Sequence, residues 1–381
     1  MSRKKYKTSA TKDKREPNIR FRRLVGSLIN NKAAYEGGRY DKWWMAVILY
    51  FLSIVIAVVP IMVQTGKTKG SDIYAAPNNL FHTDVGLRKF TDALEENDVD
   101  LKIITVDGEK RFSSPDFDRV ATDTFTFRID QITNREVEIP YFSYKNNRQS
   151  EGEVVEFEYL RVYFVNEQDK IWVGDRQVLV ENHFANYLAG LTESNRDNLT
   201  SHYIFGQENI YFRIYNPANM NEGADIYRYY NGVTSPLPEN LNIRDFSTKD
   251  ANGNPLQLND FDYLEKYMTN WAALADLAYG PVRTQAFWVQ TGLNLIIFAI
   301  VGLVMGLIIF LSTRGKTNPH RDLKFFESFK VGMWLLPTPA LITLIIGFIM
   351  PNYFTLAFVM TLGLRSVWLT MRTLNPYVQD Q

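Results

Sequence analysis

Tyrosine side chains between positions 211 and 230 are the best candidates for binding chemistry in this 381-residue sequence. The candidates are Tyr211, Tyr215, Tyr227, Tyr229 and Tyr230. A tyrosine ring has a large apolar face and a polar tip, so it can stack on a sugar or anchor a protein partner. The residues that flank 227–230 are rich in Asn, Gly, Pro and Asp, which favours loops and makes this group the best contact to a ligand or partner. The competing interpretation is ordinary packing in a core or on a sheet face.

Two basic residues, Lys330 and Arg365, border long apolar stretches near the end of the chain. Arg365 follows a turn at Pro351-Asn352 by about 13 positions, which places it roughly 20 Å deep in a membrane at 1.5 Å per helical residue. A guanidinium at that depth is costly unless it snorkels to the headgroups or meets a protein partner. Both interpretations stay open, and Arg365 and Lys330 are candidate contacts to lipid or to an intramembrane partner.

Catalytic motifs are not indicated by the sequence. The absence of cysteine excludes a disulfide, a cysteine-zinc site and a cysteine nucleophile. The GKT triplets at 66–68 and 315–317 lack the earlier glycine of a phosphate-binding loop, the four histidines are scattered, and no G-x-S-x-G motif occurs. A glycosidase, whose two carboxylates must face each other across a cleft, stays an open alternative. We expect a protein that is not an enzyme and that needs no metal or cofactor.

The distribution of charge predicts the elements that position these residues. The 42 Lys and Arg residues balance 42 Asp and Glu residues, yet runs of 24, 30 and 34 residues after Lys42, Arg283 and Lys330 contain no charge. A membrane crossing needs about 20 apolar residues. Pro351-Asn352 divides the last run, because proline interrupts a helix. We therefore predict four transmembrane helices, at 43–64, 286–312, 327–350 and 353–374.

The orientation follows from Lys and Arg, which are retained on the cytoplasmic side in short flanking segments. Residues 1–42 contain 13 basic and 4 acidic residues, and the loop at 313–326 is also basic. Residues 65–285 contain 22 basic and 35 acidic residues. We expect a multi-pass protein of the cell membrane with cytoplasmic N- and C-termini, a short cytoplasmic tail at 375–381, and residues 65–285 outside the cytoplasm.

The basic N-terminal arm is expected at the inner membrane surface. Residues 1–17 lack an apolar period, which predicts disorder. Apolar residues at helical spacing predict an amphipathic segment over 18–42, with Phe21, Leu24, Val25, Leu28 and Ile29 on one face. The candidate contacts to lipid headgroups are Arg20, Arg22 and Arg23, and Gly37-Gly38 is expected to end the segment. The alternative is packing of this face on the protein's own helices or on a partner. We expect no nucleic acid, since the bilayer already offers an anionic surface.

Residues 65–285 predict an α+β domain with an antiparallel sheet, because segments of period two alternate with segments of helical period. The predicted strands are 101–106, 124–129, 137–144, 154–165, 171–180 and 210–215. The predicted helices are 85–96, 182–191 and 261–279. The turn at 166–169 is expected to form a hairpin, and residues 216–256 are expected to be surface loops. The fold class is thus α+β, a four-helix integral membrane protein with a large extracytoplasmic α+β domain inserted between helices 1 and 2.

Two segments carry a resemblance to a known family. They are Leu24–Leu52 (LVGSLINNKAAYEGGRYDKWWMAVILYFL) and Phe325–Ile349 (FFESFKVGMWLLPTPALITLIIGFI). With the order of one helix, an outer domain and a C-terminal group of helices, they resemble bacterial membrane proteins of unknown function that are often labelled maltodextrin-utilisation proteins. The resemblance covers the membrane regions and brings no catalytic motif. It implies an accessory subunit near a carbohydrate ABC transporter.

Three functional hypotheses are compatible with these features. The first is a non-enzymatic accessory subunit that docks on or regulates a membrane complex, with ABC transporter subunits as the partner that the resemblance implies. The second is a cell-surface protein that binds or processes carbohydrate through the tyrosine cluster. The third is an oligomeric channel or transporter, which the uniformly apolar helices disfavour. In each case the lipid bilayer is a partner.

Overall fold

A computed structural model describes residues 17–74, 81–129, 135–150, 153–166, 170–173, 176–194, 200–215, 227–250, 254, 256, 263–315, 318 and 320–374. The chain forms two compact units, of which one contains residues 1–67 and 286–381 and the other contains residues 68–285. The first is called the helical unit and the second the sheet unit.

The helices of the described residues fall in both units. In chain order they are α1 (Pro17–Ile29), α2 (Asn31–Tyr40), α3 (Trp43–Lys67), α4 (Phe81–Glu96), α5 (Val180–Ser194), α6 (Tyr263–Ser312), α7 (Phe325–Leu335), α8 (Pro337–Ile349) and α9 (Phe354–Trp368). The predicted helix 261–279 and the predicted crossing 286–312 are two parts of one continuous helix, α6. The Gly280-Pro281 pair between them lies inside α6 and does not end it.

Four segments of the described chain are long and apolar enough to cross a membrane. They are Trp43–Lys67, Glu265–Ser312, Phe325–Ile349 and Pro351–Met371. The third differs from the predicted single helix, because α7 ends before Leu336 and α8 begins at Pro337. Pro337 and Pro339 lack the amide hydrogen that a continuing helix would need at their positions. The short turn Pro351–Tyr353 separates α8 from α9.

Glycines allow α6 and α7 to approach closely. Gly302 and Gly306 lie one turn apart on α6. A Cβ added at Gly306 would lie 2.9 Å from the Phe329 Cα, and one at Gly332 would lie 3.1 Å from the Gly306 backbone. Two small residues four positions apart are typical of close helix contacts in membranes. The GLVMG sequence at 302–306 carries this signal.

Gly37 and Gly38 also serve close packing, and the expectation that they end the amphipathic segment is wrong. Both lie within α2. A Cβ at Gly37 would lie 2.7 Å from the Trp334 ring, and one at Gly38 would lie 2.5 Å from the Val331 Cα. The helix continues through both glycines because their contact with α7 compensates for their low helix propensity. The described part of segment 18–42 is therefore two helices, α1 and α2.

A mixed sheet forms the centre of the sheet unit. In chain order the strands are β1 (Lys102–Val106), β2 (Glu109–Ser113), β3 (Asp123–Arg128), β4 (Glu136–Ser150), β5 (Glu153–Phe164), β6 (Lys170–Val173), β7 (Arg176–Leu179), β8 (Ser201–Phe205), β9 (Asn209–Tyr215) and β10 (Tyr227–Val233). Among the described residues, six of these strands form one sheet in the order β10-β9-β8-β5-β4-β3. Strands β1 and β2 form one separate hairpin, and β6 and β7 form another.

Two expectations about this sheet are wrong. The sheet is not wholly antiparallel, because β5 and β8 are parallel. The predicted strand 171–180 is the β6–β7 hairpin followed by the start of α5, so β5 does not pair with β6 across the turn at 166–169. The hairpin and α5 supply a connection long enough to bring β8 beside β5 in the same direction. Residues 167–169 themselves lie outside the described residues.

The expectation of surface loops over 216–256 is also wrong for much of that segment. Residues 227–233 are the edge strand β10. Leu237, Ile243 and Phe246 are buried in the larger core of the sheet unit, with α4 and α6. The smaller core lies on the other side, where α5 packs on β3, β4, β5 and β8. Residues 216–226 lie outside the described residues.

Candidate functional site

A row of polar side chains crosses the edge of the sheet at β8, β9 and β10. His202 on β8 pairs with Arg213 on β9, and Arg213 pairs with Tyr229 on β10. Cross-strand partners project from the same sheet face. The neighbouring row, two residues along each strand, consists of Ile204, Tyr211 and Asn231. The two rows form the floor of a groove.

Helix α5 forms the wall of this groove. It contributes Ala185, Asn186, Leu188 and Ala189 to a cavity of about 310 Å³. Two hydrogen bonds join α5 to strand β9. Arg213 Nη1 donates to the Leu188 carbonyl at 2.9 Å, and the Tyr211 hydroxyl donates to Asn182 Oδ1 at 2.5 Å. The volume is at the lower end of the range of small-molecule sites.

Glu181, in the first turn of α5, positions this wall. Its buried carboxylate accepts hydrogen bonds from the amides of Gln207 and Glu208 and, at 2.7 Å, from Asn209 Nδ2. Burial raises the pKa of Glu181, and these three donors oppose that rise. The carboxylate therefore ties α5 to the turn between β8 and β9. The sequence gives no signal of this role, because Glu181 resembles any acid at a helix start.

His202 is a buried, neutral imidazole in the floor of the groove. It is 5% exposed and stacks on Tyr163 with the ring centres 5.9 Å apart. Burial, and then the positive charges of Arg213 and Arg161, lower the pKa of His202 to about 3. Neither ring nitrogen has a hydrogen-bond partner among the described residues. A neutral imidazole offers one donor and one acceptor, which suits a ligand hydroxyl group.

The structure separates the five predicted tyrosines into different roles. Tyr229 is 52% exposed and lines the cavity with Tyr211. Tyr227 is buried beneath the Arg213 guanidinium, which lies 3.7 Å from its ring centre, and Tyr215 packs edge-on against Tyr227. The ring of Tyr230 packs on the opposite face, where its hydroxyl donates to the Ala275 carbonyl at 2.6 Å and its ring stacks on Phe212. Strand alternation excludes Tyr230 and packing excludes Tyr215 and Tyr227, which leaves Tyr229 and Tyr211 as candidate contacts.

Arg365 lies in a second polar site, within the helical unit. Its Nε donates to Asn31 Oδ1 at 2.9 Å, and its Nη1 donates to the Leu335 carbonyl at 2.8 Å and to Thr338 Oγ1. Its Nη2 donates to the Ser27 carbonyl. No Asp or Glu forms an ion pair with Arg365 within the described part of the chain. The side chain is bound by α1, α2 and the α7–α8 junction.

The Leu335 carbonyl is available because of Pro339. In a helix, the amide of residue 339 would donate to the carbonyl of residue 335, and proline has no amide hydrogen. Arg365 supplies the missing donor. The Leu335 carbonyl and the Arg365 guanidinium therefore satisfy each other, and each would otherwise lack a hydrogen-bond partner at this point.

The other predicted basic contacts have mixed outcomes. Lys330 donates to the Asp41 carbonyl at 2.6 Å, at the end of α2. Arg23 faces inward, with Nε 3.6 Å from Glu36 and Nη1 3.7 Å from Asp41, so it is not placed as a lipid contact. Arg22 is exposed. The side chain of Arg20 lies outside the described residues.

Comparison with protein-family models, with curated proteins and with solved structures finds no match to this chain. The resemblance to maltodextrin-utilisation proteins therefore stays an expectation, and the functional argument depends on the geometry above.

Proposed function

We propose that the chain is an integral membrane protein with four crossings and cytoplasmic termini, and that residues 65–285 are extracytoplasmic. The support is the set of four apolar helices, together with the basic flanks at 1–42 and 313–326 and the acidic composition of 65–285. Single cysteines at Ser71, Asn318 and Gln379 test this in a chain without natural cysteine. An impermeant maleimide should label only position 71 in intact cells. Labelling of 318 or 379 under those conditions would contradict the orientation.

We propose further that the protein is a non-enzymatic accessory subunit whose sheet unit recognises a ligand or partner outside the membrane. The groove between α5 and strands β8–β10 carries this proposal. It combines an exposed aromatic ring, Tyr229, with a buried imidazole, His202, whose nitrogens have no hydrogen-bond partner in the part of the chain that the structure describes. Leaving a buried polar group without a hydrogen-bond partner costs stability, and a bound group that pairs with His202 would offset this cost. The carbohydrate ABC transporter that the resemblance implies is the candidate complex.

Purification of the full chain in mild detergent tests the accessory role. Wild-type protein should retain a membrane partner in fixed stoichiometry, and Tyr229→Ala with Asn231→Ala should reduce the retained amount. The matched control is Trp172→Ala, which removes an exposed aromatic ring that does not line the groove. A wild-type chain that is always isolated alone would contradict the proposal.

The second candidate function is binding of a glycan in the same groove. The observation that favours it is the set of polar groups around Tyr229, namely His202, Asn186 and Asn231, beside the Arg213 guanidinium. An aromatic face with donors and acceptors beside it suits a sugar ring. Calorimetry of the full chain in nanodiscs should show binding of maltodextrin or wall oligosaccharides that is lost in Tyr229→Ala and retained in Trp172→Ala. Absence of heat with every glycan would remove this candidate.

A further inference from the structure

Helix α1 has three exposed apolar side chains among its described residues, while its backbone makes polar contacts on the inner side. Leu24, Val25 and Ile29 are 36%, 44% and 91% exposed, whereas Ser27 is fully buried. This is the reverse of a helix that packs its apolar face on its own protein. Of the two expectations for the face at residues 21–29, packing against the protein's own helices does not apply to these three described residues. A face of this kind needs an apolar environment outside the chain.

Arg365 and Arg23 hold α1 in this orientation. Arg365 binds the Ser27 carbonyl, and Thr338 Oγ1 donates to the Leu28 carbonyl. Arg23 lies beside Glu36 and Asp41, which belong to α2 and its C-terminal end. Rotation of α1 to bury its apolar residues would break all of these contacts. The outward face is therefore a fixed property of the helical unit.

The charges beside this face identify its occupant. Arg22 and Lys32 are exposed, while the two acids of this region, Glu36 and Asp41, are both engaged by Arg23. The exposed surface is consequently apolar and basic. It is continuous along the chain with Trp43 and Trp44, which are exposed at the start of α3, where indoles favour the bilayer interface.

We propose that α1 lies in the headgroup region of the cytoplasmic leaflet, where Arg22 of α1 and Lys32 at the start of α2 bind anionic phospholipid. Arg365 is the internal clamp that fixes the orientation of α1. Amphipathic helices with an apolar face and basic flanks bind such surfaces. The inference rests on the proposed topology. Maleimide labelling of a cysteine at position 318 tests that topology by itself. A failure of the topology can therefore be distinguished from a failure of the lipid contact.

The depth of α1 is measurable on the full chain in nanodiscs. Spin labels at Val25→Cys and Ile29→Cys should collide more often with oxygen than with a water-soluble nickel complex, as should a label at Ile48→Cys on the exposed face of α3. A label at Arg321→Cys, in an exposed turn, should show the opposite preference. Preference for nickel at both 25 and 29 would overturn the proposal. Spin–spin broadening at these positions would also overturn it, because it would identify a second copy as the occupant.

Lipid charge is tested by comparing nanodiscs of phosphatidylcholine with nanodiscs that also contain phosphatidylglycerol. The anionic lipid should reduce the mobility of the label at 25, and Arg22→Gln with Lys32→Gln should abolish that response. Arg321→Gln with Lys324→Gln, two exposed basic residues outside α1 and α2, is the matched control and should preserve it. An unchanged response in the first pair would overturn the role of Arg22 and Lys32.

The clamp is tested with Arg365→Met and the conservative Arg365→Lys. In Arg365→Met the label at 25 should become several-fold more mobile, while the label at 48 keeps its wild-type spectrum and so reports an intact α3. Arg365→Lys keeps the charge but offers fewer fixed donors. In this variant the mobility of the label at 25 should lie between the wild-type value and the Arg365→Met value. An unchanged spectrum at 25 in Arg365→Met would overturn the clamp.

Discussion

At the scale of single residues, Arg365 shows how a cation can be accommodated among apolar helices with no acidic partner in the described part of the chain. Its donors are used by the carbonyls of Ser27 and Leu335 and by the side chains of Asn31 and Thr338. Carbonyl oxygens carry partial negative charge, so they stabilise the guanidinium without a second ionised group. Satisfying both sides of such contacts is the usual condition for a polar group within a membrane.

We expect Arg365→Met to destabilise the protein in detergent. Two carbonyls lose their hydrogen-bond donor, which costs about 1–3 kcal/mol each. The variant also no longer pays the desolvation cost of a buried guanidinium, which offsets part of this loss. The midpoint of thermal unfolding, followed by size-exclusion fluorescence, should fall by several degrees. Arg321→Met, which removes an exposed arginine, should leave the midpoint unchanged. Equal midpoints for the two variants would show that the carbonyl contacts contribute no net stability.

His202 should make the sheet unit sensitive to acid. The pKa of His202 is about 3 in the folded protein, against 6.5 for an exposed histidine. Between these two pH values the unfolded chain binds a proton at His202 and the folded chain does not. The free energy of unfolding is therefore unaffected by His202 above about pH 6.5 and decreases as the pH falls toward 3. At pH 5 the decrease is about 2 kcal/mol. His202→Phe should therefore lose less stability than the wild type between pH 7.5 and pH 5. A smaller effect of the same sign is expected for His183→Phe, because His183 is only partly buried.

The residue scale also shows what a sequence can reveal. The cost of placing Arg365 among apolar residues is readable from its position, and so is the carbonyl that Pro339 leaves without a donor. The contact of these two groups is not readable, because it depends on how α9 packs beside the α7–α8 junction. Likewise the tyrosine cluster is visible in the sequence, whereas the division between Tyr229 and Tyr230 depends on the register of β10.

At the scale of elements, glycine positions determine which helices approach closely. Gly306 contacts α7, while Gly292 on the same helix has no atom within 4 Å of an added Cβ. We expect Gly306→Ala to destabilise the helical unit by about 1–3 kcal/mol through overpacking. Gly292→Ala should be neutral or stabilising, because alanine favours a helix over glycine by about 1 kcal/mol. Thermal midpoints of the two variants test this opposition of sign, and a stabilised Gly306→Ala would contradict the close contact.

Periodicity predicted most strands and helices because burial of one face imposes a regular spacing. It failed where a strand lies within a segment of loop-forming composition, as at 227–233, and where a short hairpin adjoins a helix, as at 170–180. In both cases the partner strand decides the structure. Strand β10 forms because β9 offers a full register from Asn209 to Tyr215. The parallel pairing of β5 and β8 is equally invisible to local pattern.

At the scale of the whole molecule, the two units have separate hydrophobic cores. Changes confined to one core should therefore add independently to changes in the other. We expect the combined variant His202→Phe with Arg365→Met to show a loss of stability equal to the sum of the single losses, within about 0.5 kcal/mol. Urea unfolding of the single and double variants at fixed pH measures this. A coupling clearly larger than that would show that the two sites interact energetically.

Charge segregation also operates at this scale. A chain with equal numbers of acidic and basic residues is neutral as a whole, and the proposed topology divides it into a basic cytoplasmic side and an acidic external side. That division gives the bilayer a role in orienting the chain, because basic segments are retained on the cytoplasmic side.

The contacts of Arg365 impose an order on biosynthesis. Ser27 and Arg365 are 338 residues apart, so the Ser27 carbonyl emerges from the ribosome long before its donor. A nascent chain that stops after α8 has the Ser27 and Leu335 carbonyls but no guanidinium to join them. Completion of α9 therefore adds the Arg365 contact to the Thr338 and Arg23 contacts of α1. A product that stops before α9 differs from the full protein near Ser27 as well as at the missing helix.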